Sequence, residues 1–170
     1  VLFRSMNLLV YQALVPINCE CCEEFPARRI ASSDYLNRLE RLFDIDVDGI
    51  YLTNLNGCPK CRKPGLTELN GIAGRKVVAE MLELDTYMLE MIRDHRNIDL
   101  IKYVDKLRTA DYDEEDSVGK SAMEVAMYRC SRGEVSPYEI EEKFGTFEQY
   151  GNEQRRFGLG RFSAERHERF

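Results

Sequence analysis

Two Cys-x-x-Cys pairs, Cys19 with Cys22 and Cys58 with Cys61, constrain the folds open to this chain more than any other feature. Two residues between the members of a pair let both sulfurs face one ion, and four thiolates close a tetrahedral Zn²⁺ site with no position left for water. The expected ligands are therefore Cys19, Cys22, Cys58 and Cys61, holding a metal that supports structure and activates no nucleophile. Cys21 lies between the first two and competes as a ligand, although the matching spacing of Cys58 and Cys61 favours Cys19 with Cys22. The 35 residues from Glu23 to Gly57 exceed the about 15–20 of the commonest zinc ribbon, so the site is expected to clasp a helical insertion.

Composition narrows the class of protein. With 44% apolar and 32% charged residues, a chain of 170 can bury a core. A formal charge of -6 argues against a dedicated nucleic-acid binder, which needs a basic face for phosphate contacts. Six cysteines without a secretory signal read as metal ligands in a reducing compartment, which gives a cytoplasmic address. The early apolar run from Met6 to Ile17 is broken by Asn7, Gln12 and Pro16 and is too short for the about 20 residues of a membrane span. No membrane insertion is expected.

The pattern along the chain predicts an α+β fold, mostly helical. A tetracysteine zinc-binding subdomain with a short β-hairpin occupies residues 6–84, and a C-terminal helical subdomain occupies 85–150. Val1 to Ser5 resemble the translation of a sequencing-adapter end and are set aside as an artefact. Met6 to Leu14 is expected as a short buried helix ended by Pro16. Leu36, Leu39, Leu42 and Phe43 recur at helical steps after a cap at Ser33 or Asp34. Leu66 to Leu69 and Arg75 to Leu84 are expected to pair as strands, since Val77 and Val78 favour extended backbone.

Beyond Thr86 the apolar residues Met88, Leu89, Ile92, Leu100, Ile101, Val104 and Leu107 suggest two helices with core-facing stripes, broken near Asn97. A further amphipathic helix spans Ser121 to Arg132 and carries Cys130 on its apolar face. Ser136-Pro137-Tyr138-Glu139 reads as a capping box, with the stop at Gly145. The tail from Gly151 to Phe170 is expected to be frayed.

Other candidate sites fail on spacing. Asp44, Asp46 and Asp48 open like a calcium loop, but Gly49 is off the sixth position and Leu55 stands at the twelfth. The acidic run Asp111, Asp113, Glu114, Glu115 and Asp116 reads as a solvated loop. Gly119-Lys120-Ser121 before a helix invites a phosphate loop, yet Glu114 replaces the required earlier glycine; helix capping explains the motif. His95 and His167 have no evident catalytic partner, so no catalytic or nucleotide-binding residue is assigned.

The order of these segments resembles the carboxy-terminal part of the secretion traffic ATPases that power type II secretion and type IV pilus assembly. The resemblance rests on Leu8-Leu9-Val10-Tyr11-Gln12-Ala13-Leu14-Val15-Pro16 running into the first cysteine pair, then Gly57 to Cys61 and Gly71-Ile72-Ala73-Gly74-Arg75 with Val77-Val78-Ala79-Glu80. It continues through Gly119-Lys120-Ser121-Ala122-Met123, Glu134-Val135-Ser136-Pro137 and Glu142-Lys143-Phe144-Gly145, covering Met6 to Tyr150.

The resemblance implies a fragment of a cytoplasmic homo-hexameric motor, peripheral at the inner-membrane face, whose partner is an inner-membrane platform protein. In that family the phosphate loop and the acidic, Walker B and histidine boxes lie upstream of the cysteines. ATP and Mg²⁺ would then belong to the full-length parent, while this fragment neither binds ATP well nor hydrolyses it. An independent zinc-stabilised interaction module is the alternative. The family motif also implies that Arg75 and Glu80 are interior or interface residues, the alternative being an exposed cross-strand pair. A further expectation is that zinc pins the helix Ser33–Phe43 against the strand around Arg75 to Leu84.

Overall fold

The computed structural model describes residues 6–159 apart from 110 and 113. The adapter-like Val1 to Ser5, His167 and the end of the tail lie outside the described residues. Two long strands, β1 (Leu8–Asn18) and β2 (Ile72–Glu83), form an antiparallel sheet. Seven helices accompany them among the described residues: α1 (Ala27–Ile30), α2 (Ser33–Phe43), α3 (Thr86–Arg93), α4 (Asn97–Lys106), α5 (Ala122–Ser131), α6 (Pro137–Phe144) and α7 (Phe147–Phe157). The α+β class is as expected, with two corrections to the strands.

Met6 to Leu14 is extended and forms most of β1. The register runs from Leu8↔Glu83 to Ile17↔Gly74, so the expected strand at Arg75 to Leu84 pairs with the amino-terminal segment instead of Leu66 to Leu69. The latter holds a 3₁₀ turn, Thr67–Leu69. A helix over residues 6–14 would satisfy its own backbone, but a partner rich in β-branched residues satisfies it as well and buries Ala13 and Val15 beside Val78. Pro16 is tolerated because a two-stranded sheet leaves every second N–H of each strand without a ladder partner.

The inner face of the sheet packs on α5 and α6. Among the described residues the outer face has no such cover: Leu8, Val10, Leu14, Val77 and Met81 are all about half exposed, with Val10 opposite Met81 and Leu14 opposite Val77. Glu80 is half-buried on the inner side, whereas Arg75 is exposed. Both lie on β2, opposite Pro16 and Tyr11, so they are not a cross-strand pair, and Arg75 is not interior.

A second packing centre forms around Phe43 at the end of α2. Its ring meets Tyr112 at 5.1 Å and Phe147 at 5.3 Å edge to face, and stacks on Tyr150 at 5.3 Å. Helix α2 has the expected span; its cap is Ser32, whose side chain accepts the Tyr35 N–H. It packs on α7 and α1, so the expected contact with β2 is replaced by helix-on-helix packing. Helix α7 overturns the expected fraying from Gly151 to Phe157. A Thr146–Gln149 capping box starts it, and Gly151 allows close approach to Leu42.

The helices α3 and α4 depart from the expected core stripes. Met88 and Met91 of α3 are buried, but no residue of α4 is, and the pair is tied together by Asp85, which caps α3 and accepts the Tyr103 hydroxyl at 2.8 Å. Helix α5 has a complete Ser121–Glu124 capping box, and Cys130 is a wholly buried core residue whose thiol is pushed up by burial. At α6 the expected box does not form. Pro137 occupies the first turn and Gly145 ends the helix with φ 98°, but Ser136 Oγ is buried without a hydrogen-bond partner among the described residues.

Candidate metal centre

The sheet's far end builds the cysteine site. Register slips between Ile17 and Asn18, and the irregularity swings the chain off the ladder. Asn18 anchors the turn: its N–H donates to Glu134 O at 2.8 Å, and its side-chain amide donates to Tyr51 O and Gly133 O at 3.3 and 3.1 Å. Cys19 follows and begins a 3₁₀ turn, Glu20–Glu24, that contains Cys21 and Cys22. The second segment is a tight reversal in which Cys61 N–H and Arg62 N–H both donate to Cys58 O, at 3.1 and 2.8 Å.

Four thiols converge here, those of Cys19, Cys21, Cys58 and Cys61, with all sulfurs within 4.8 Å of one another. The Cys19–Cys58 and Cys58–Cys61 Sγ separations are 3.8 Å and Cys21–Cys61 is 3.9 Å. A tetrahedron with Zn–S bonds of ~2.3 Å has edges of about 3.8 Å, so these separations fit a bound zinc ion. They are far too long for disulfides, and all six cysteines are free. The four thiols can hold a metal ion, and the set is compatible with structural zinc.

Three of the four expected ligands, Cys19, Cys58 and Cys61, are in the cluster. The fourth corner is occupied by Cys21, the competitor that spacing disfavoured, and not by Cys22. The 3₁₀ winding explains the exchange, because it presents Cys21 toward Cys61 while the buried Cys22 Sγ donates to Gly71 O at 3.2 Å and accepts the Asn54 N–H at 3.3 Å.

Gly71 is the hub of the site, a role that sequence reading missed. Its carbonyl accepts from Cys19 N–H at 2.7 Å as well as from Cys22, and its N–H donates to Cys61 Sγ at 3.2 Å. With φ 78° and a hypothetical Cβ at 2.6 Å from Asn54 O, the position admits only glycine without strain. The signal available in sequence was the glycine itself, ten residues beyond Cys61.

The electrostatics favour thiolate at one corner. Burial opposes ionisation of Cys61, yet N–H donors from Cys58 and Gly71 and the neighbouring thiols hold it down to about 7. Burial, with Cys58, Cys19 and Cys61 around it, pushes the Cys21 thiol well up. A bound cation lowers all such values, because a thiol ligates as thiolate. The exposed ion pair of Lys60 with Glu20 joins the two cysteine segments and brings a positive charge near Cys19 and Cys58.

Elsewhere, Lys120 is buried and its ammonium donates to Glu114 O at 2.6 Å, in keeping with Gly119-Lys120-Ser121 as a capped helix start. A cavity of about 410 Å³ between the sheet, α4, α5 and α7 has Glu80, Asp105, Glu124 and Glu153 among its lining residues and, among the described residues, no lysine or arginine, a lining unsuited to a phosphate ligand. No helix among the described residues is long and apolar enough to cross a membrane. In comparisons with known proteins, no family model matches this chain and no curated protein matches it significantly.

Proposed function

We propose that this chain is the zinc-clasped carboxy-terminal part of a secretion traffic ATPase, serving type IV pilus assembly or type II secretion from the cytoplasmic face of the inner membrane. The observation that carries the structural-zinc part is the thiol cluster at the sheet end, where three Sγ separations of 3.8, 3.8 and 3.9 Å fit the edges of a zinc tetrahedron. The ordered motifs from Leu8 to Gly145 carry the motor part.

In this reading zinc ties the end of β1 to the Cys58–Cys61 reversal and hence to the start of β2. Cys19, Cys21, Cys58 and Cys61 hold it, Gly71 orients Cys61 and Cys19 through its own backbone, and the ion supplies cross-linking and no reaction step. The apolar outer face of the sheet supports a packing role, since five large side chains stand half exposed there. In the parent that face lies against the ATPase core of a hexamer, and the platform protein in the membrane is the machine's partner.

Coding sequence upstream of Met6, together with the zinc content of the wild type and of Cys58→Ser, tests both parts. An upstream phosphate loop, one zinc per chain and loss of metal with a lower melting temperature in the variant are expected. Full metal and an unchanged melt in Cys58→Ser would sink the zinc site. Upstream sequence without a phosphate loop would sink the motor and leave a zinc-stabilised interaction module, a reading that the same apolar face supports.

A further inference from the structure

The cysteine site contains one thiol more than a four-coordinate metal uses. Cys19, Cys58 and Cys61 are common to both ways of completing it. Cys21 completes it in the geometry observed, 3.9 Å from Cys61. Cys22 is equally placed by chain spacing, standing three residues after Cys19 as Cys61 stands after Cys58. Its Sγ rests on Gly71 O, the carbonyl of the residue whose N–H donates to Cys61 Sγ. The Asn54 N–H already points at Cys22 Sγ at 3.3 Å, as the Gly71 N–H points at Cys61 Sγ. Backbone donors of this kind stabilise a ligating thiolate.

We propose that Cys21 and Cys22 share one coordination position, so that five thiols serve four places and zinc can change its fourth ligand without leaving the protein. The inference rests on the zinc reading above. In the exchange the Cys22 S–H gives up its proton as its sulfur bonds to zinc, the Zn–Cys21 bond breaks, and the Cys21 thiolate takes that proton. Charge and oxidation state are unchanged. Cys22 is 1% exposed whereas Cys21 is only half-buried, so the two registers differ in shelter: one puts a more open sulfur on the metal, the other a sealed one.

The test uses the full chain loaded with Zn²⁺, or with Co²⁺ for its thiolate charge-transfer bands. Cys21→Ser and Cys22→Ser are each expected to bind one metal with a four-thiolate cobalt spectrum and an affinity reduced by less than ~10-fold. The double variant should show a three-thiolate spectrum and lose more than ~100-fold. If either single variant gives the three-thiolate spectrum, that thiol is a fixed ligand and the proposal is wrong. A second measurement needs no variant: alkylation of Cys21 in the native zinc protein should proceed with zinc retained. Zinc release in step with Cys21 labelling, or absence of labelling at Cys21, overturns the shared position. A wild-type chain that binds no zinc overturns the zinc reading itself, an outcome distinct from a wild type that binds zinc through one fixed fourth ligand.

Discussion

The cysteine end of the sheet and the aromatic centre around Phe43 hold the same insertion by different physics. At Phe43, rings from α2, α7 and the loop containing Tyr112 interlock at 5.1–5.3 Å, and the stabilising force is burial of apolar area. At the cysteines, main-chain hydrogen bonds through Gly71 and four thiols do the work. The first depends on volume and tolerates no void; the second depends on geometry at single atoms and on a metal. The difference teaches that each end can fail separately.

Phe43→Ala should show the largest effect. It empties a wholly buried site and is expected to cost about 3–5 kcal/mol in denaturant unfolding while zinc per folded chain stays at one. Loss of zinc in that variant would show that the two ends are one cooperative unit. Gly71→Ala attacks the other end. The strained φ and the collision with Asn54 backbone are expected to cost about 2–3 kcal/mol, and competition with a chelator should reveal weakened zinc binding.

Smaller changes sharpen the contrast on the helical side. Ser121→Ala removes one half of the α5 capping box and is expected to cost about 1 kcal/mol with metal affinity unaltered. Glu80→Gln probes the inner face of the sheet. Burial raises the Glu80 carboxyl in the folded state, so its protonated form is the one folding favours. Its contribution is fully present below the unfolded value and is lost as pH rises through the folded one. Glutamine is therefore expected to melt slightly higher than wild type at pH 7, by less than ~1 kcal/mol, and the gap should close at acid pH.

What could be read from sequence follows the range of the interactions. Helix α2, the α5 start at Ser121 and the stop at Gly145 are set by residues within a few positions of each other, and each was legible. The partner of β2 was not, because residues 19–71 separate the strands and nothing local distinguishes residues 66–69 from 8–18 as a mate. Helix α7 was legible in principle through Thr146 and Gln149, but its arginines and glycine hid the signal. The cysteine pairs announced a metal site, yet spacing pointed to Cys22 where the structure brings Cys21 into the cluster, because that choice is made by the winding of the turn that carries both.

The long separation of the two strands has a kinetic side. Closing a large loop before any ladder forms is entropically costly and slows folding. Thiols 39 and 40 residues apart meet at the cluster, and Gly71 follows Cys61 by ten. Once a metal has gathered those sulfurs, only that short stretch remains to be closed, and β1 and β2 can zip together as though they were neighbours in the chain.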